Sequence, residues 1–251
     1  MGDSKWLGRL VWRELTTDDF AKSKGFYGEL FGWTFEEMPM GPGETYTIVK
    51  ANGSGIGGLM KPQMKGQPNA WLGYVSVPDA DAALEAVKKH GGQVFAGPID
   101  IPQVGRFGIF ADFAGAVTAV MRTASEDQPI PERPPLHTFC WETVTTTDVD
   151  KAIAFYAAVA GWGTKTMPGA GVKVFTAKDG AEVADVQKAS GEVPPMWLTY
   201  VVVEKLEATR DRVGKLGGKV LEPLIEVPNV GRIAVVAGPE GAPIGIFQPK
   251  M

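Results

Sequence analysis

Residues able to carry chemistry are few in this chain. Its 251 residues include one cysteine, Cys140, and two histidines, His90 and His137. A lone cysteine excludes an internal disulfide and fits a reducing compartment, so a cytoplasmic protein is expected. No stretch approaches the roughly 18 apolar residues of a membrane span, so no membrane partner is expected. The first residues, MGDSKWLGRLVW, carry neither the apolar core of a signal peptide nor the later Ser/Thr of a myristoylation signal. A net charge of −4 with no Lys/Arg block leaves no electrostatic footprint for nucleic acid. Serine is scarce and G-x-S-x-G is absent. No G-x-x-x-x-G-K-[ST] or G-x-G-x-x-G motif opens a helix, which removes the common nucleophile and phosphate-binding signatures. With 44% hydrophobic and 22% charged residues, the composition is that of an ordinary globular protein.

What is present is a repeat. Trp12–Trp33 reads WRELTTDDFAKSKGFYGELFGW and Trp141–Trp162 reads WETVTTTDVDKAIAFYAAVAGW, sharing the frame W-x-x-x-T-T-x-D…F-Y…G-W. The phrase WLGYVSV at Trp71–Val77 returns as WLTYVVV at Trp197–Val203, and PQVGR at Pro102–Arg106 returns as PNVGR at Pro228–Arg232. Order and spacing hold across the chain, so it is a duplicated domain. The expected division is domain one at 8–122, a linker at 123–135 with four prolines, and domain two at 136–248.

Within each copy the periodicity switches in a fixed order. In the first, residues 9–16 alternate as a strand. Asp18 or Asp19 then caps a helix that Gly32 ends, and three short strands follow near 33–38, 45–50 and 55–61. A strand at 71–77, a helix from Pro78-Asp79 to His90, and strands near 93–96, 106–112 and 116–122 complete the copy. Each domain is thus two βαβββ units, and the chain has four. The fold class is α+β, with each pair of units forming a curled mixed sheet whose concave face is the natural ligand pocket.

Tandem βαβββ units with T-x-D…F-Y…G-W after the first strand resemble the vicinal oxygen chelate superfamily of glyoxalase I, bleomycin-resistance proteins and extradiol dioxygenases. The tandem form is most similar to the two-domain glyoxalase-like proteins of actinomycetes that are often labelled "hydroxylase". The resemblance implies a divalent metal held by His, Glu or Gln on the first, fourth, fifth and eighth strands. In this chain the matching positions are Trp12 and Trp141, Leu72 and Leu198, and Ala119 and Gly245. The fourth-strand position falls within 55–60 and 182–186, where Glu182 and Asp185 are the only acids. Trp, Leu, Ala and Gly bring no lone pair to a metal, so no metal and no cofactor are expected.

Strand parity then selects the pocket face: Leu10, Trp12, Glu14 and Thr16; Phe139, Trp141, Thr143 and Thr145; Leu72, Tyr74 and Ser76; Leu198, Tyr200 and Val202. The intervening valines should pack on helices. A Trp and a Tyr in each hollow suit a flat, apolar, perhaps aromatic small molecule. The same Trp would also plug a disused cavity, giving a structural or interaction protein. An enzyme of the superfamily, of lyase, dioxygenase or hydroxylase type, is the alternative, with Glu14 and Tyr74 as its acid/base candidates or with a displaced metal site. Arg106 and Arg232 suit a ligand carboxylate or phenolate, or else close a strand entry. His137 shares the strand parity of Phe139 and Trp141, while His90 ends a helix. A small-molecule ligand is the expected partner, and monomer and homodimer both remain open.

Overall fold

The computed structural model describes residues 6–41, 44–63, 66–125, 131, 133–167, 171–191 and 193–250. The first copy contains β1 (Leu10–Thr16), α1 (Phe20–Phe31), β2 (Thr34–Gly41), β3 (Glu44–Ala51), β4 (Ser54–Met60), β5 (Ala70–Ser76), α2 (Ala80–Lys89), β6 (Gln93–Ile101), β7 (Gly105–Ala111) and β8 (Val117–Thr123). The second copy contains β9 (Phe139–Thr146), α3 (Val149–Ala160), β10 (Gly163–Thr166), β11 (Lys173–Thr176), β12 (Glu182–Lys188), β13 (Met196–Val202), α4 (Leu206–Val213), β14 (Lys219–Val227), β15 (Gly231–Ala237) and β16 (Pro243–Pro249). The strands form two eight-stranded mixed sheets, ordered β2-β3-β4-β1-β5-β8-β7-β6 and β10-β11-β12-β9-β13-β16-β15-β14. The fold is α+β with tandem glyoxalase-like sheets, as the repeat predicts. Residues 126–130 and 132 of the expected linker lie outside the described residues.

The local chemistry of the repeat explains its helices. Asp19 accepts the Lys22 amide at 3.0 Å and Asp148 accepts that of Lys151 at 3.0 Å, each satisfying an otherwise orphaned donor of the first turn. Gly32 and Gly161 end these helices at φ 72° and 70°, the left-handed region open to glycine. Asp79 caps α2 through the Ala82 amide, and His90 is that helix's C-cap. The matching position before α4 is Lys205, which provides no side-chain cap. Gln248 compensates by accepting the Leu206 amide at 2.9 Å.

Each sheet follows one copy, whereas the compact units draw on both copies. Unit 1 comprises 1–12, 72–130 and 142–197; unit 2 comprises 13–71, 131–141 and 198–251. In unit 1, Val75, Val77, Leu84 and Val87 from the first copy share a buried core with Phe155, Tyr156, Trp162 and Trp197 from the second. In unit 2, Tyr27, Trp33 and Trp71 share a core with Val201, Val203, Leu206 and Val213. The valines between the pocket-facing positions thus pack on helices, as strand parity requires.

The Trp of each G-W pair ties its unit together. Trp33 donates its indole N–H to the His137 carbonyl at 2.7 Å, and Trp162 donates to the Gly8 carbonyl at 2.7 Å. Gly8 and His137 occupy matching positions four residues before Trp12 and Trp141, and both adopt positive φ, 82° and 64°. The two bonds are therefore the same bond made twice, each between opposite copies.

Candidate functional site

Side chains pointing away from the helices include four groups among the described residues, two in each unit. In unit 1, Trp12 and Leu72 pack with Tyr74, Phe107, Ala119 and Met121, with Ile101 and Ile109 at the margin. Tyr74 is 5% exposed, and its ring lies 5.9 Å from that of Phe107 at an interplanar angle of 57°. Alternation places these residues opposite Val75 and Val120, which belong to the helix-side core. The result is an apolar face with a half-buried Trp and a nearly buried Tyr.

The second cluster of unit 1 is polar. Thr143 on β9 is in register with Asp185 on β12 and donates its hydroxyl to Asp185 Oδ1 at 2.6 Å. Gln187 donates its amide to Oδ2 at 2.7 Å. Asp185 is 5% exposed, so the carboxyl group is buried and held by donors, as a buried polar group requires.

In unit 2, Glu14 on β1 is in register with Gly58 on β4. Glu14 is 4% exposed and accepts the Tyr46 hydroxyl at 2.7 Å. Gly58 makes this approach feasible, because a Cβ there would overlap the Tyr46 hydroxyl. In the fourth cluster Tyr200 is in register with Gly245, and its ring lies where a Gly245 Cβ would stand. The matching pair in unit 1 is Tyr74 and Ala119.

Several sequence-derived positions fall elsewhere. Leu10 leaves the pocket face and packs with Val75, Val77 and Leu84 in the helix-side core. Its counterpart Phe139 does likewise, with its ring 5.4 Å from Trp33 and 5.3 Å from Trp71 and the Arg13 guanidinium over it. Both lie at the first residue of a strand, where two-residue alternation has not yet begun. His137 precedes β9 in a left-handed conformation, its ring 6.5 Å from that of Phe31. It does not share the face of Trp141.

Arg106 and Arg232 are engaged on the opposite strand face. Arg106 grips Asp81 of α2 at 2.6 and 3.0 Å and Asp100 of β6 at 2.6 Å. Arg232 pairs with Glu207 of α4 and donates to Gln248 at 2.9 Å. The repeated V-G-R thus places a guanidinium where it clamps helix to hairpin. Trp141 and Leu198 are half-buried on β9 and β13.

Two cavities described in unit 1 lie away from these clusters. One, about 260 Å³, runs between α2 and α3 past Val77, Ala83 and Val159. The other, about 300 Å³, is a polar recess beside Asp81 and Arg106. Neither borders Trp12 or Trp141.

The comparisons with known proteins agree with this architecture. The profile of the Glyoxalase/Bleomycin resistance protein/Dioxygenase superfamily matches residues 136–246, and that of the bleomycin resistance protein-like N-terminal domain matches 9–50. A putative glyoxylase, CFP32, of Mycobacterium tuberculosis is 31% identical over 245 residues, covering 95% of this chain and 94% of that protein. The chain belongs to the glyoxalase/bleomycin resistance protein/dioxygenase superfamily. The anthracycline biosynthesis protein DnrV of Streptomyces peucetius is 30% identical over 263 residues, covering 96% of this chain and 93% of that protein. In fold, the chain is similar to the 2,3-dioxygenase LapB from Pseudomonas sp. KL28. That match has a TM-score of 0.65 and 10% identity, and covers 99% of this chain and 94% of that one.

Superfamily membership implies a metal, and the donor set tests whether one fits. Trp12, Leu72 and Ala119 form part of an apolar cluster, and Gly245 lies beneath a tyrosine ring. None of these supplies a lone pair to a cation. Among the described residues, no three His, Cys, Asp or Glu side chains gather as a metal site. The positions that the resemblance assigns on the first, fifth and eighth strands therefore do not fit a metal. Among those residues, also, no helix is long and apolar enough to cross a membrane.

Proposed function

We propose that this protein binds a small, largely apolar and aromatic molecule on its concave sheet faces and does so without a metal. The observation that carries this reading is the unit 1 cluster: Trp12, Leu72, Tyr74 and Phe107 present an aromatic face where relatives with metal chemistry would hold ligands. Flat apolar molecules bind such faces through area burial and ring stacking, and a Tyr hydroxyl orients them. The name of one relative, an anthracycline biosynthesis protein, fits a role in the handling of aromatic natural products. A cytoplasmic location, and a monomer or homodimer as the working form, belong to the same proposal.

The test is a tryptophan-fluorescence titration with a soluble flat aromatic, anthraquinone-2-sulfonate, alongside metal analysis of the purified protein. Saturable quenching that Trp12→Ala weakens about tenfold supports the reading, a loss equal to about 1.4 kcal/mol. Stoichiometric metal that survives chelation, or no saturable quenching, overturns it. A second reading, acid/base catalysis, is favoured by the burial of Glu14 against the Tyr46 hydroxyl. Glu14→Gln that abolishes turnover while retaining binding would select it.

A further inference from the structure

Each unit pairs two helices, α1 with α4 in unit 2 and α2 with α3 in unit 1. The helices α1 and α3 end alike. Gly32 donates to the Gly28 carbonyl and Gly161 to that of Ala157, each glycine in the left-handed region. Such an end leaves the carbonyls of the last turn without helical partners and gathers partial negative charge there. In unit 2 a cation answers it: Arg212 of α4 donates its guanidinium to the Glu29 carbonyl.

At the matching positions unit 1 has Ala86 and Ala158. Each is placed by its frame, V…G-G after residue 86 and F-Y…G-W around residue 158. Ala86 has no donor to offer the end of α3. Instead the cavity of about 260 Å³ lies there, with Ala82 and Ala83 of α2 on one wall and Ala158 to Gly161 on the other. A helical side chain covers the turn N-terminal to its own Cα, so a long residue at 86 would lie over Ala82 and Ala83. Unit 1 thus keeps the acceptor half of the unit 2 contact and has a cavity where the cationic half would stand.

We propose that this cavity binds a small organic cation, a guanidinium or primary amine on a short apolar stem. The cation meets the last-turn carbonyls of α3, since N–H donors that carry charge make the stronger hydrogen bonds. The stem lies on Val77, Ala83 and Val159, which are buried and apolar. Asp79 and Lys178 also line the cavity, both exposed and of opposite charge, so they offset one another and the negative pole of α3 sets the sign. The site is separate from the sheet faces and does not rest on the aromatic-ligand reading.

The test is an NMR titration of the full chain at low salt with butylguanidinium chloride and with butylurea, its neutral analogue of similar shape. The expected result is saturable shifts at the Ala158 to Gly161 amides, with butylguanidinium bound about fivefold tighter than butylurea. Ala86→Arg supplies the unit 2 guanidinium from within and should weaken butylguanidinium binding at least fivefold. Ala82→Leu, an uncharged block at an exposed position, should do the same and covers the case in which Ala86→Arg fails to fold. Equal affinity for the two probes, no saturable shift at the end of α3, or undiminished binding by either folded variant overturns the inference. The aromatic titration reads Trp12, so the two readings fail separately.

Discussion

Unit 1 and unit 2 each bury a Trp–Tyr pair beside an acid, and they finish the arrangement differently. In unit 1, Trp197 donates to the Tyr156 hydroxyl at 2.9 Å, and Tyr156 donates to Asp112 Oδ2 at 3.0 Å. Asp112 Oδ1 also accepts the Ala114 and Ala116 amides at 2.8 and 3.0 Å. In unit 2, Trp71 donates to the Tyr27 hydroxyl at 3.1 Å, but the acid near it is Glu240. Both Glu240 carboxylate oxygens are buried and lack a hydrogen-bond partner. The nearby Ser23 hydroxyl is shared with the Asp19 carbonyl and Thr17. Burial pushes both carboxyls above their ordinary range; Asp112 sits among donors in full hydrogen-bond geometry, whereas at Glu240 the nearby Ser23 hydroxyl and its own amide offset only part of the cost. The matching turn of the first copy carries Ala114 where the second carries Glu240. One scaffold therefore tolerates the acid at either position, and hydrogen-bond satisfaction decides whether it stabilises.

The largest effect should come from removing each acid in turn. Asp112→Ala strands one buried amide, one part-buried amide and a buried tyrosine hydroxyl and should cost about 3 kcal/mol in urea unfolding. Glu240→Ala should instead stabilise at pH 7 by about 0.5 kcal/mol, kept small because Glu240 is only partly buried as a residue. Equal destabilisation by both would break the comparison. Next in size are the tyrosines. Tyr156→Phe should cost about 2 kcal/mol and Tyr27→Phe about 1 kcal/mol, measured as the shift in unfolding midpoint.

Glycine substitution extends the comparison to the sheet faces. Gly245→Ala copies the Ala119 of the other copy and meets the Tyr200 ring, so a loss of about 2 kcal/mol is expected. Gly25→Ala, inside α1 with open space around its Cβ, should gain about 0.5 kcal/mol. A melting comparison of the two variants checks the contrast.

The smallest effect is on pH dependence. A carboxyl with a folded-state value raised above its unfolded one contributes stability that is complete below about pH 4.3. That contribution is lost as pH rises through the folded value. Unfolding free energy measured from pH 4 to 8 should therefore fall less steeply in Glu240→Ala than in the wild type. An unchanged slope would assign the acid no titration in this range.

Much of the fold was legible because duplication printed its signals twice. The caps Asp19 and Asp148, the terminators Gly32 and Gly161, and the valines on the helix side all followed from periodicity and turn chemistry. The sheet face turned away from the helices was legible where alternation runs through a regular strand, as for Trp12, Leu72 and Tyr74. It failed at Leu10 and Phe139, where a strand begins. Tyr46, Phe107, Met121 and Gln187 carried no signal that singled them out, because nothing local marks which residue of one strand meets which of another. Gly58 did carry one, a glycine inside a strand, but its meaning depends on Tyr46 approaching from β3.

By itself the sequence determined the duplication, the order of elements and the superfamily. These are properties of spacing and residue type, which a chain carries before it folds. Tertiary structure decided that Trp33 and Trp162 bond to the opposite copy, that both V-G-R arginines clamp helices, and that a carboxylate holds one place from opposite strands. Those outcomes depend on register and on contacts between residues far apart in the chain, and only packing and hydrogen-bond satisfaction in the folded molecule choose among them.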